Sequence, residues 1–139
     1  MILVDTSALL DFFRGTGSVA HTRFREILER GVPFGITPVI VQEVLQGAKT
    51  EKDFSVLRKY LDGVRCYLPG NPREAAIEAA KIYFTLRKRG ITVSSTNDCQ
   101  IAGIAIEHGL YLLHGDRDYD QIASVFPLKI FGGLGHTKE

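Results

Sequence analysis

Tryptophan is absent from this chain, and cysteine appears only twice, at Cys66 and Cys99. The two thiols form no C-x-x-C pair and no zinc spacing with any histidine, so neither a disulfide framework nor a zinc module is supported. Both lie in apolar contexts and are expected to be small buried hydrophobes. Long apolar runs are also missing. Nothing approaches the roughly 18–20 residues that span a bilayer, so no membrane helix is expected. The opening MILVDTS has no basic stretch and no small-residue cleavage site, which argues against a secretory signal and makes the cytoplasm the default compartment. A charge excess is lacking too: 17 Lys and Arg stand against 16 Asp and Glu, a net charge of +1. That balance is far from the heavily basic face of a dedicated DNA binder. Repeats, low-complexity tracts and linkers are not seen, so residues 1–139 are expected to form one domain.

What is present is an alternation of short apolar runs and amphipathic segments. MILVD, PFGIT, VRCYLP and YLLHGD read as buried strands, with LKI as an edge strand. Between them SALLDFFRG, with Ser7 as candidate N-cap, 18–31, a segment opened by Pro38, 52–63, 73–90 and 97–109 carry helical patterns, and RDYDQIASVF follows as a last helix. Strands that are continuously apolar are buried on both faces, and their alternation with helices implies a parallel sheet. The expected fold is therefore α/β: a three-layer α/β/α sandwich around a central parallel sheet of four or five strands. The end, about 131–139, reads as a loose tail. Its GGLG string has no helix after it and is not read as a phosphate cradle.

In such a sheet, ligands bind beyond the carboxyl ends of the strands, where strand order reverses. Asp5 closes the first strand and Asp116 closes the YLLHGD run. Glu43 lies within the helix after the second strand, among Val39, Ile40, Val41, Val44 and Leu45. Asp98 opens the apolar helix in STNDCQIAGIA. Each has an ordinary reading. Asp98 can be a first-turn carboxylate facing the helix dipole, and Asp116 a turn residue in HGDRD. Glu43 is harder to dismiss because unpaired buried glutamates are rare. Asp5 is held by a buried strand, and four separate coincidences on one edge are less natural than one pocket.

ILVDTSALLDFF, VIVQEVLQG and STNDCQIAGIAIEHGLYLLHGDRDYDQIA, in this order and at this chain length, resemble PIN-domain ribonucleases of the VapC toxin type. The similarity covers nearly the whole chain, and the third block is its most specific part. It implies the PIN-like sheet architecture and places the family's metal-binding, catalytic acids on Asp5, Glu43, Asp98 and Asp116. Asp118, the second acid of DRD, contributes in some members. Ser7 and Thr96 match hydroxyl positions that border the site. The resemblance further implies an RNA substrate (transfer RNA or ribosomal RNA), a small antitoxin protein as partner, and a tendency to homodimerise.

Two like charges 4 Å apart repel by about 4 kcal/mol at an effective dielectric near 20. Four such acids need a cation, protons, or both. All-oxygen donors favour Mg²⁺ or Mn²⁺ over zinc, and the chemistry that follows is metal-assisted phosphodiester hydrolysis. Asp5 and Asp98 are expected as the closest ligands, with Glu43 and Asp116 completing the shell, orienting water or acting as base. His114 is read as a partly buried hydrogen-bonding residue rather than a base. His21, His108 and His136 are expected to be solvated. Asp11, Glu26, Glu29, Asp53 and Asp62 fall on outward helix faces. The basic residues at 87–89, with Arg14, Arg117 and Lys49, are candidate phosphate contacts that position RNA without reading its sequence.

Two rivals remain open. An aspartate-based phosphatase of the haloacid dehalogenase type needs an acid two residues after the nucleophile, where this chain has Ser7. A receiver domain needs adjacent acids near the first strand, which are not evident. A catalytically silent PIN-fold binding module is the other, and four intact acids argue against it.

Overall fold

The computed structural model describes residues 1–135. Five strands form one parallel sheet: β1 (Ile2–Val4), β2 (Phe34–Ile36), β3 (Arg65–Cys66), β4 (Tyr111–Leu113) and β5 (Lys129–Ile130), in the order β3-β2-β1-β4-β5. Seven helices cover it: α1 (Thr6–Arg14), α2 (Val19–Glu29), α3 (Pro38–Gln46), α4 (Glu51–Asp62), α5 (Pro72–Lys88), α6 (Thr96–His108) and α7 (Asp118–Ala123). Among them α1 packs on α2 and α3, and α3 on α4. The second group has α5 and α7 both packed on α6. The expected three-layer α/β/α fold is what the chain adopts, with the upper of the two strand numbers.

The order reverses at β1. From β1 the chain steps outward to β2 and β3, then crosses back to lay β4 on the other side of β1. The switch point therefore lies between β1 and β4, where the Asp5 amide donates to Leu113 O at 2.9 Å and ties the two strand ends together. Leu3, Val4, Leu112 and Leu113 are almost fully buried, as a strand covered on both faces requires.

Local signals explain most helix starts. Pro38 opens α3 at its first turn, and the Thr37 hydroxyl caps it by accepting from the Ile40 amide. Gly109 closes α6 at φ 65°, a left-handed conformation in which a Cβ is penalised, and thereby turns the chain into β4. The α1 start differs from expectation: Asp5, not Ser7, is its N-cap, accepting from the Ser7 amide. The β4 strand also stops at Leu113, so HGD is a turn, in which the Asp116 amide donates to His114 Nδ1 at 3.0 Å.

Cys99 is buried as expected, but Cys66 is exposed, because β3 is a two-residue edge strand covered less than the centre of the sheet. The chain does not loosen at 131. Phe131 is buried, its amide donates to Leu112 O at 2.8 Å, and its carbonyl accepts from Arg23 Nη1 at 3.3 Å. His136 lies outside the described residues. No helix among the described residues is long and apolar enough to cross a membrane.

Gly35 in β2 allows the close approach of β3. A Cβ there would stand 2.7 Å from Tyr67 Cδ2 and 2.9 Å from Arg65 O, and closer still to Tyr67 Cε2. Gly35→Ala is expected to destabilise the protein by about 1–3 kcal/mol, the usual cost of overpacking. Chemical denaturation checks this, and an unchanged midpoint contradicts the packing account.

Candidate active site

Five acids converge on the carboxyl edge of the sheet, at the β1/β4 switch point. Asp98 is delivered by α6. It shares the Asp98, Ile101, Ala102, Ala105 stripe, whose i, i+3, i+4, i+7 spacing is the buried face of that helix, and it is 6% exposed. Packing thus pulls this carboxylate inward. Asp116 lies in the β4–α7 turn and accepts from the Asp118 amide at 2.9 Å. Asp118 is 8% exposed, and its Oδ2 accepts from both the amide and the hydroxyl of Ser94, at 2.9 and 2.6 Å. One carboxylate oxygen from each of Asp98, Asp116 and Asp118 lies within 4.8 Å of the others.

Asp5 borders this group. Its Oδ2 accepts from the Ser7 amide at 3.0 Å and the Ser7 hydroxyl at 2.5 Å, while Oδ1 accepts from Tyr119 OH at 2.7 Å. The same phenol lies 3.2 Å from Asp98 Oδ1, so Asp5 and Asp98 face one hydroxyl. Asp98 Oδ2 is buried with no hydrogen-bond partner among the described residues. Glu43, half-buried, stands further out: its Oε1 accepts from Thr6 Oγ1 at 2.6 Å and its Oε2 from Asn97 Nδ2 at 3.1 Å. Those donors are the chain neighbours of Asp5 and Asp98, so α3 is pinned against the same edge.

The remaining expected residues divide. Ser7 belongs to the site, because its hydroxyl also accepts from the Gly115 amide at 2.9 Å and joins α1 to the β4–α7 turn. Thr96 is exposed, its hydroxyl makes no hydrogen bond among the described residues, and it lines a cleft with Tyr83 and Arg87 of α5 instead. His114 is largely buried. Its Nδ1 accepts from Asp116, so Nε2 is the protonated nitrogen and donates to Asp120 Oδ1 at 3.1 Å. His21 is not freely solvated, since its Nδ1 accepts from the Gly17 amide at 2.8 Å. Asp11 is half-buried at the α1–α2 turn, accepting from Ser18 Oγ, and so departs from the expected outward face. Glu26 is half-buried as well, whereas Glu29, Asp53 and Asp62 are exposed.

Asp118, Tyr119, Ser94, Thr6 and Asn97 are what reading residues one by one leaves out or underweights. The DRD spacing hints at Asp118. The remaining four have no periodic or motif signal, since an aromatic in a short helix reads as core and hydroxyls in loops read as caps.

No lysine or arginine pairs with these acids among the described residues, where the one lysine or arginine ion pair is Arg25–Glu29. Burial is therefore the first cause that raises the Asp98 carboxyl to about 8, followed by its closeness to Asp116 and the charges of Asp116 and Asp5. Donation from Tyr119 opposes the shift. Asp5 is raised as well, by burial above all, although the Ser7 and Tyr119 donors pull it back. The Tyr119 phenol is held well above its ordinary range by burial and by the two acids. Crowded oxygens without an internal cation are suited to a hard divalent ion.

A family model described as the PIN domain matches residues 2–125. The chain belongs to the PIN-domain family. This PIN domain is 39% identical over 133 residues to the VapC ribonuclease Mb1587 of Mycobacterium bovis and, by the same measure, to ribonuclease VapC11 of Mycobacterium tuberculosis. In each case the match covers 93% of this chain and 96% of the relative. Its fold is similar to the solved structure of VapBC-1 from nontypeable Haemophilus influenzae, with a TM-score of 0.72 at 17% identity, over 94% of this chain and 97% of that one.

The raised Asp98 carboxyl sets a pH dependence. Between its unfolded value of 3.8 and about 8 the folded state retains a proton that the unfolded state releases. With respect to this group, metal-free protein is thus expected to be most stable below about pH 4 and to lose that stability steadily as pH rises from there to about 8. Asp98→Asn should flatten the loss. Chelated samples melted at pH 5 and pH 8 check this, and equal slopes in the two proteins contradict it.

Proposed function

We propose that this PIN domain is a metal-dependent endoribonuclease, a hydrolase of RNA phosphodiesters, and the toxin of a toxin–antitoxin pair. The observation that carries the reading is the convergence of Asp98, Asp116 and Asp118, with Asp98 Oδ2 buried and, among the described residues, neither a partner for that oxygen nor a lysine or arginine paired to the three acids. It is supported by 39% identity to proteins named VapC ribonucleases.

The donor set fits a divalent ion of the Mg²⁺ or Mn²⁺ type, held by Asp98, Asp116 and Asp118 with Asp5 beside them. Bound there, the ion supplies the Lewis-acid charge that phosphodiester hydrolysis needs. Asp118 is oriented by the amide and hydroxyl of Ser94. Glu43 is the half-exposed acid on the rim, so it is the group placed to take the proton from an attacking water as the phosphorus–oxygen bond to the leaving group breaks. Exposed Arg14, Lys49 and Arg117, with Arg87, Lys88 and Arg89, are proposed to steer the RNA backbone, which makes binding weaken as salt rises.

With RNA as substrate, the place of action is the cytoplasm. The antitoxin requires apolar surface, and the neighbouring Phe13 of α1 and Tyr60 of α4, together with Phe54 and Val56, are exposed. A homodimer belongs to the same reading. The aspartyl-phosphate alternative is disfavoured because Ser7 stands two residues after Asp5, where a haloacid-dehalogenase-type phosphatase needs its second acid, and the Ser7 hydroxyl donates to Asp5 Oδ2.

Purified protein incubated with RNA is expected to cleave it in Mn²⁺ or Mg²⁺ and to stop when the ion is chelated. Asp98→Asn and Asp116→Asn should each lower the rate by at least about a hundredfold, while Asp53→Asn leaves it unchanged. Asp5→Asn should abolish cleavage without loss of metal-free stability, since asparagine caps a helix as well as aspartate does. Cleavage that persists in chelator, or full activity in Asp98→Asn, refutes the assignment.

A further inference from the structure

A fully buried polar group at this edge belongs to a residue that the proposed chemistry does not use. Tyr119 is 0% exposed, and its ring packs against His114 with centroids 5.2 Å apart. It cannot reach RNA. Its single hydroxyl stands between Asp5 Oδ1, 2.7 Å away, and Asp98 Oδ1, 3.2 Å away. Phenylalanine would fill the same ring volume, so packing alone does not account for an oxygen in a pocket walled by acids.

We propose that Tyr119 is a positioning residue for the divalent ion, its hydroxyl fixing one oxygen of Asp5 and one of Asp98 so that Asp98 Oδ2 stays free for the cation. The inference rests on the metal-dependent reading above. The geometry supports it twice. Asp98 has one oxygen 3.2 Å from the phenol, whose single proton it shares with the nearer Asp5 Oδ1, and one without a partner among the described residues, the division that a monodentate ligand beside a neighbouring donor shows. Asp5 has both oxygens restrained, Oδ2 by Ser7 and Oδ1 by Tyr119, so its carboxylate plane is set before any ion arrives. A neutral donor suits this task better than lysine or arginine. It restrains two carboxylates without cancelling the negative charge that attracts the ion. The strength of the arrangement lies in one hydroxyl serving two acids that are far apart in sequence.

The test compares wild type with Tyr119→Phe, titrating each metal-free protein with Mn²⁺ by calorimetry and following RNA cleavage at several Mn²⁺ concentrations. Tyr119→Phe is expected to bind Mn²⁺ at least about tenfold more weakly. It should keep the wild-type KM for RNA, and its kcat should recover as Mn²⁺ is raised. A Mn²⁺ affinity within twofold of wild type, or tighter, overturns the inference and leaves Tyr119 as a packing residue. So does a loss of kcat that saturating Mn²⁺ does not restore. A wild type that takes up no divalent ion overturns the nuclease reading and this inference together, which separates the two failures. Should the variant not fold, wild type labelled with ¹³C-tyrosine decides. The Tyr119 ring resonance, assigned against the other tyrosine-to-phenylalanine variants, is expected to shift along the Mg²⁺ binding curve. A resonance that ignores Mg²⁺ sinks the proposal.

Discussion

Repulsion among buried carboxylates is the constraint around which the carboxyl edge of this sheet is organised. Asp5, Asp98 and Asp118 are each less than a tenth exposed, and Asp116 and Glu43 stand beside them. Taking one ionised carboxylate from water is costly, and each added neighbour increases the cost. A domain concerned only with stability would place an arginine or lysine among them. Among the described residues none is paired there. The negative potential is instead held open, and a divalent cation is the counter-charge that fits oxygen donors alone.

The scaffold manages this with neutral donors. Ser7 supplies an amide and a hydroxyl to Asp5, and Ser94 does the same for Asp118. Thr6 and Asn97 each hold one oxygen of Glu43, and Tyr119 spans Asp5 and Asp98. Hydrogen bonds to charged acceptors are among the stronger ones in proteins, so these contacts fix geometry at modest cost. They also cross between elements: α1 to α3, α3 to α6, and α7 to both β1's end and α6. The site is therefore a joint of the fold as well as a pocket, and its acids are held by the packing that they strain.

Much of the architecture was legible along the chain. Apolar runs such as ILV and YLL can only be buried strands, and the glycines and prolines that punctuate the helices mark their ends. The errors have local causes. Ser7 is a good capping residue by type, but Asp5 sits two residues earlier with a carboxylate that accepts from the Ser7 amide, and Ser7 turns its hydroxyl to that carboxylate instead. The strand read through Asp116 ends at Leu113, because the chain bends at Gly115 and His114 Nδ1 accepts from the Asp116 amide. Cys66 looked like core in an apolar stretch, yet its strand is the sheet's short outer edge, where cover is thin. Thr96 and Ser94 show the same limit at the site: two hydroxyls near one acid are indistinguishable in sequence, and the turn of α6 points Thr96 towards α5 while Ser94 remains beside Asp118.

Taken alone, the order of residues determined the alternation of strands and helices, the parallel sheet, and the positions of acids beside strand ends and helix starts. Those features depend on local periodicity and on short-range stereochemistry, which a linear chain displays directly. Tertiary structure decided which acids share a pocket. It brought Asp118 in with Asp98 and Asp116, set Glu43 at the rim, and gave a core aromatic, Tyr119, an oxygen between Asp5 and Asp98. The reason is geometric. Strand order places β1 beside β4 across more than a hundred residues of chain, and no pattern within a segment records how far apart two carboxylates will be once that crossover closes.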